Sequence, residues 1–299
     1  MIKFIKKIIF YSFLTFILGN IISFSANYFL KKSQFYKPSF LVNGFNPNEK
    51  LDYFIVGSSR GLTSLDSKQI DESLDVKGIN LSMDDTDLKT QFLMIKHFFK
   101  SGFKSEYLIL SLDESHFINT TKNLGSNDYR FSPFIDRDYV KSHFKSYEKS
   151  ILKIITNSNL NPLFNYSYHN FELLFPAVLS ALKPKFRNKF DEKGNYSYPN
   201  SGVKLLYQEP KVENLKISNP ILININSFLK QNNCKLIIYI GPYFNKNYVF
   251  ENNYNFTIIN HSNILKDDLD YYYDYMHVNL KGRKICSNLF SLDFKSFLK

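Results

Sequence analysis

The 299-residue chain predicts an α/β fold of βαβ units around a parallel sheet, and three observations carry that prediction. Five short segments read as strands, several of them continuously apolar: Tyr53 to Val56, Lys77 to Leu81, Tyr107 to Leu112, Lys235 to Ile240 and Phe256 to Asn260. Such runs, mostly bounded by turn residues, suit a sheet buried on both faces. Helical stretches separate several of them. Ahead of them all lies one long uncharged segment that does not belong to the sheet.

That segment comes first in the chain. "MIKFIKK" is basic, and from Ile8 to Leu30 no residue is charged. As a helix this run is about 34 Å long, enough to cross a bilayer core. Lys31 and Lys32 then stop it. A cleaved signal peptide would use Ser23 and Ser25 before Ala26. The apolar run continues through Tyr28, Phe29 and Leu30, which favours an uncleaved anchor. Lysines flank both sides, so the positive-inside rule gives only weak support for a cytoplasmic N-terminus. The expected organisation is a basic tail over 1–7, a transmembrane anchor over 8–30, a linker over 31–50 and an α/β domain over 51–299. The anchor should project as one helix with few contacts, leaving the rest outside the cytoplasm.

Within the domain, Thr86 to Lys100 carries Leu88, Phe92, Ile95 and Phe99 at helical spacing, and Gly102 stops it. Pro220 to Gln231 predicts a second helix. Leu280 to Leu298 predicts a third, capped by Asn279. Between the third and fourth strands the alternation breaks, so a mainly helical insertion is expected at about 119–215. It contains "FIDRDYVKSHFKSYEKSILKIITN", predicted helical, and "FELLFPAVLSALKPKFRNKF", apolar first and basic afterwards. The second reads as a core helix broken by Pro176 and Pro184, or as a lid or a surface near a membrane.

Lysine and arginine exceed the acids by 38 to 27, a net charge of +11, but no basic block concentrates it. Nucleic-acid binding is not expected. A solvated surface, or contact with anionic lipid or glycan, accounts for the surplus. The two cysteines, Cys234 and Cys286, form no CxxC or Cys/His cluster, so no structural metal and no cofactor is implied; whether they pair stays open.

In open α/β sheets ligands bind outside the carboxyl ends of the strands. Four polar stretches fall there: "GSSRG" after the first strand, "SMDDTD" after the second, "DESH" after the third, and "YYYDYMHVNLKG" before the last helix. A serine hydroxyl needs a base to take its proton, and histidine suits that task near neutral pH. A carboxylate fixes the imidazole tautomer. Asp274 and His277, in an Asp-x-x-His arrangement, supply both. A nucleophile between a strand and a helix also places backbone N–H groups beside a developing oxyanion.

"FIVGSSRG", followed near the C-terminus by "DYMHVNLKG", resembles the SGNH (GDSL-like) hydrolase superfamily, in particular its membrane-anchored branch linked to cell-envelope polysaccharide O-acylation. The resemblance covers about Leu51 to Gly125 and Leu236 to Leu298. It implies a three-layer α/β/α fold with a short parallel sheet. It also implies a triad with Ser59 as nucleophile, His277 as base and Asp274 as its orienting acid. The oxyanion donors would include the Ser59 and Ser82 backbone N–H groups, with Asn80 and Arg60 as candidates by location. The family's third block has an asparagine where this chain has Asp113, and an ionised aspartate cannot donate to an oxyanion. Asp113 and His116 are expected near substrate.

The implied activity is ester hydrolysis or O-acyl transfer on an envelope glycan, with a membrane acyltransferase as a possible partner. The altered third block motivates an alternative: a non-catalytic module that binds glycan or scaffolds such an acyltransferase. Of the other histidines, His97 reads as structural, His143 and His169 fall in the insertion, and His261 follows the last strand without a nearby Asp-x-x spacing.

Overall fold

The computed structural model describes residues 1–118, 122–204, 206, 209, 211–266 and 268–298. The predicted start of the insertion, at 119, lies outside the described residues. The strands are β1 (Leu51–Gly57), β2 (Gly78–Asn80), β3 (Ser105–Ser111), β4 (Lys211–Lys216), β5 (Lys235–Ile240), β6 (Lys246–Glu251) and β7 (Thr257–Asn260). The helices are α1 (Ile2–Lys31), α2 (Lys37–Gly44), α3 (Ser59–Ser64), α4 (Ser67–Leu74), α5 (Leu88–Lys100) and α6 (Ser115–Ile118). They continue with α7 (Asp138–Tyr147), α8 (Pro162–Tyr168), α9 (Asn170–Leu182), α10 (Pro220–Gln231) and α11 (Leu280–Phe294). The chain divides into two compact units: Met1–Phe45 with Lys122–Asn188, and Asn46–Thr121 with Lys189–Lys299.

The second unit holds a five-stranded sheet in the order β2-β1-β3-β5-β7, parallel throughout. Alternate side chains serve its two faces. Tyr53, Ile55, Tyr107, Ile109, Ile237 and Tyr239 form one buried cluster with Ile70 of α4 and with Phe290 and Phe294 of α11. On the other face Phe54 stacks on Phe98 of α5 with ring centroids 4.0 Å apart. Phe228 of α10 meets Phe92 and Phe99 of α5 edge-on. Each such burial contributes about 1.5–3 kcal/mol. Helices on both faces of a mixed α/β sheet are compatible with α/β/α layering. The strand order reverses at β1, since β2 lies on one side of it and β3 on the other. The residues after β1 and β3 therefore sit at a switch point, where such sheets bind ligands.

The five strands fall where the apolar runs placed them, with ends shifted by a residue or two. A separate two-stranded parallel sheet, β4 with β6, was not anticipated. Residues from 189 onward belong to the sheet unit rather than to the insertion, because Lys193 and Asn195 are tied into it. The Lys193 carbonyl accepts the Asn80 N–H at 2.9 Å, and Asn195 Oδ1 accepts from Ser67 N–H and Oγ at 3.0 Å. Cys234 and Cys286 are free and buried, and burial pushes both thiols up to about 12.

The first unit corrects one expectation. Within the 31–50 segment lies α2, with Phe40 and Leu41 buried. α1 does not stand free along its length. Its first half is exposed, but Ser23, Ala26 and Leu30 are buried, and a Cβ at Gly19 would meet Leu163 of α8 at 2.9 Å. Gly19, Ser23 and Ala26 are small and recur on one face, so α8 and α9 can approach closely. The stretch 134–157 is one helix only over α7, which buries Val140 and Phe144. Among the described residues α1 is the single helix long and apolar enough to cross a membrane.

Candidate active site

The turn after β1 lies hard against the end of β3. A Cβ on Gly57 would meet the Ser111 carbonyl at 2.7 Å, and one on Gly61 would meet Ser82 Oγ at 2.8 Å and Ser111 Cβ at 2.9 Å. Both glycines of "GSSRG" are therefore required by close approach. The two serines between them are used differently. Ser58 is 4 % exposed and caps α3, its Oγ accepting from the Arg60 N–H at 3.3 Å while donating to Asp113 Oδ2. Ser59, the first residue of α3, is partly exposed, and its N–H has no intrahelical acceptor.

Ser59 Oγ is 2.8 Å from His277 Nε2. His277 Nδ1 is 2.9 Å from Asp274 Oδ2 and 3.0 Å from Oδ1. A tight turn makes this possible. Asp274 Oδ1 accepts the Met276 and His277 N–H groups at 2.7 and 2.8 Å, and the His277 carbonyl accepts the Tyr273 N–H at 2.8 Å. Asn279 then opens α11, its Oδ1 accepting from the Lys281 and Gly282 N–H groups at 2.9 and 3.1 Å. An ionised carboxylate only accepts hydrogen bonds, so Nδ1 carries the ring proton and Nε2 faces the Ser59 hydroxyl as acceptor. The loop, the cap and the turn at β1 bring Ser59, His277 and Asp274 together at the carboxyl edge of the sheet.

The remaining predicted residues are committed to scaffolding. Asn80 Nδ2 donates to the Gly61 carbonyl at 3.0 Å, and its Oδ1 accepts the Ser82 N–H at 3.0 Å. Arg60, 1 % exposed, donates from Nη2 to the Gly241 and Pro242 carbonyls at 2.5 and 2.7 Å. Its guanidinium lies 3.1 Å from the Tyr243 ring centroid, and Nη1 is 3.6 Å from Asp113 Oδ1. Asp113 is thereby held between Ser58 and Arg60. His116 is buried, accepts the Asp113 N–H on Nδ1 at 3.0 Å, and offers its carbonyl to Asn219. Asn80 is engaged at both ends of its amide, Arg60 Nη2 is taken by two carbonyls, and His116 is buried.

Some neighbours were not foreseen. Tyr198 packs against His277 at 5.1 Å between ring centroids and stacks on Tyr273 at 4.3 Å, with 8° between the planes. It comes from a polar loop with no pattern to single it out. Glu114 joins Lys246 and Tyr248, each at 2.7 Å. Burial pushes the Glu114 carboxyl up, but these two partners outweigh it and hold it below the usual range. His143 meets Asp128 at 2.9 Å in the first unit, and His261 meets Asp293 at 2.8 Å in the second. Among the described residues no three His, Cys, Asp or Glu side chains gather as a metal site. The chain matches no known family model and no curated protein sequence.

Proposed function

We propose that the second unit is a serine ester hydrolase or O-acyltransferase of the SGNH type, anchored by α1 and facing away from the cytoplasm. The observation that carries this reading is the Ser59–His277–Asp274 hydrogen-bonded chain at the strand-order reversal. In the proposed reaction His277 Nε2 takes the Ser59 proton as Oγ attacks the ester carbonyl. Asp274 holds the resulting imidazolium. The proton passes to the departing alkoxide, leaving an acyl-Ser59 intermediate. Water or a sugar hydroxyl then attacks that ester, again with His277 as base, and Ser59 recovers its proton. The Ser59 N–H is the first oxyanion donor. Tyr198 and Tyr273 stack on each other beside His277, and aromatic rings at a site are the kind of surface a sugar packs on, which supports an acylated glycan as substrate.

A fluorophosphonate probe tests this on the full chain in detergent. Labelling in the native protein, lost in Ser59→Ala and kept in Ser58→Ala, is expected. Absence of labelling in well-folded native protein would refute it. A second reading has its own observation. The Ser82 N–H is spent on Asn80, and Asp113 stands where an asparagine donor is usual in the resembling family. A glycan-binding module that supports a separate acyltransferase fits an oxyanion site this sparsely furnished, and predicts glycan binding with no labelling of Ser59.

A further inference from the structure

The short helix α9 has two unlike faces. Leu173, Pro176, Ala177 and Ser180 are buried. Phe171, Leu174, Phe175, Val178 and Leu182 are exposed, at 71, 37, 51, 58 and 74 %. Their spacing places them along one outward stripe. A helix on a water-facing surface would carry polar residues there, yet Glu172 is the only charged residue of the helix. Thirteen residues span about 20 Å, too short to cross a bilayer. A short apolar helix that is not buried in a core fits an interfacial or re-entrant segment.

Two further observations say what covers the stripe. First, it continues the apolar surface of α1. Leu163 of α8 touches α1 at Gly19, Phe164 meets Phe16 with ring centroids 6.5 Å apart, and α9 also packs on α1. The two helices end together: the Pro184 carbonyl accepts the Gln34 N–H at 2.8 Å, and the Phe35 carbonyl accepts the Asn188 N–H at 3.1 Å. From Gly19 to Lys31 is about 18 Å of helix, close to one leaflet of a bilayer core about 30 Å thick. Second, cations gather at that shared end. Lys31 and Lys32 close α1, and Lys183, Lys185 and Arg187 follow α9. Apolar stripe below and basic collar above match the order of acyl chains and anionic headgroups.

We propose that α8 and α9 form a second membrane contact, entering one leaflet beside α1 without crossing it. The stripe on α9 lies against lipid chains, and the basic residues after it lie at the headgroups. This rests on the reading that α1 crosses a bilayer. The test places a bimane label on single introduced cysteines in the full chain, reconstituted in nanodiscs of phosphatidylcholine and phosphatidylglycerol. Phe175→Cys and Val178→Cys report on α9, Phe13→Cys on exposed α1, and Lys68→Cys on a hydrophilic surface. All four side chains are exposed, so the fold is not at risk, and the native cysteines are buried.

The expected result is blue-shifted emission at 175 and 178, quenching by doxyl lipids, and loss of iodide quenching to the level of Phe13→Cys. Iodide quenching at both positions as strong as at Lys68→Cys, with Phe13→Cys protected, would overturn this inference alone. The same result with Phe13→Cys also quenched would overturn the reading of α1 as well. Oxidative pairing of two Phe175→Cys copies would put a second chain on the stripe and likewise overturn it.

Discussion

His277 and His261 each face an aspartate, and they differ in which ring nitrogen does so. His277 gives Nδ1 to Asp274, from its own turn, and keeps Nε2 for the partly exposed Ser59. His261 gives Nε2 to Asp293 on α11, while its Nδ1 is buried with no protein hydrogen-bond partner among the described residues. The His261 ring sits edge-on to Tyr239, and burial lowers its pKa in spite of Asp293. One pair leaves a basic nitrogen facing a hydroxyl. The other pins α11 to the end of β7. A His–Asp contact has no chemical meaning until the second nitrogen is accounted for.

Substitutions can break this contrast, and the largest effect comes first. If the His277 pair is catalytic, Ser59→Ala and His277→Ala each lower kcat/KM toward an activated acetyl ester by about 10⁶-fold, and the double variant is no worse. Retained turnover in Ser59→Ala ends the enzyme reading. Asp274→Asn lowers kcat by about 10⁴-fold with the fold intact by circular dichroism, because an amide no longer enforces the tautomer. A loss as small as that from His261→Gln would show that the two pairs are equivalent after all.

Ser58→Ala costs about 1–3 kcal/mol in a denaturant titration, from the lost cap and the lost bond to Asp113, yet keeps turnover within about tenfold. His261→Gln leaves turnover near that of the native protein and acts on stability instead. Because the folded-state pKa of His261 is depressed, the unfolded chain takes up the proton first on acidification. That contribution to stability is lost as pH falls below about 6.5, and melting curves of the variant between about pH 5 and 8 should slope less than those of the native protein.

What could be foreseen from the sequence follows the range of the interactions involved. The five sheet strands announce themselves because both faces are buried and the runs are apolar. β4 and β6 do not, since "KVENLK" and "KNYVFE" bury little beyond Leu215 and Tyr248. α3 and α4 are short and depend on caps at Ser58 and Asp66 rather than on periodicity. Asp274 and His277 were legible because they lie three positions apart within one turn. The commitments of Asn80 and Arg60 were not, because Asn80 Nδ2 and Arg60 Nη2 donate to backbone carbonyls of other segments, and that of His116 was not, because its partner is a backbone N–H in its own turn, which no side-chain spacing marks. Tyr198 reaches the site from a loop whose composition says only that it is polar. The unity of α1, α8 and α9 was hidden as well, since more than a hundred residues separate elements that share one face.

Arg60 ties together the chain segments that leave β1, β3 and β5. It belongs to the first, pairs with Asp113 of the second, and holds the Gly241 and Pro242 carbonyls of the third. Its Nη2 makes both carbonyl bonds while Nη1 faces the carboxylate across 3.6 Å, a planar arrangement that a lysine ammonium on a single flexible stem cannot reproduce in the same way. Removing it would leave the Asp113 carboxylate short of its counter-charge next to the cap of α3. The floor beneath Ser59 is thus cross-braced, and its three segments cannot shift independently. The rim is tied differently: Tyr198 meets the Asp274–His277 turn through ring contacts and a backbone bridge to Asn279, and the Tyr273 carbonyl accepts the Val203 N–H at 2.9 Å.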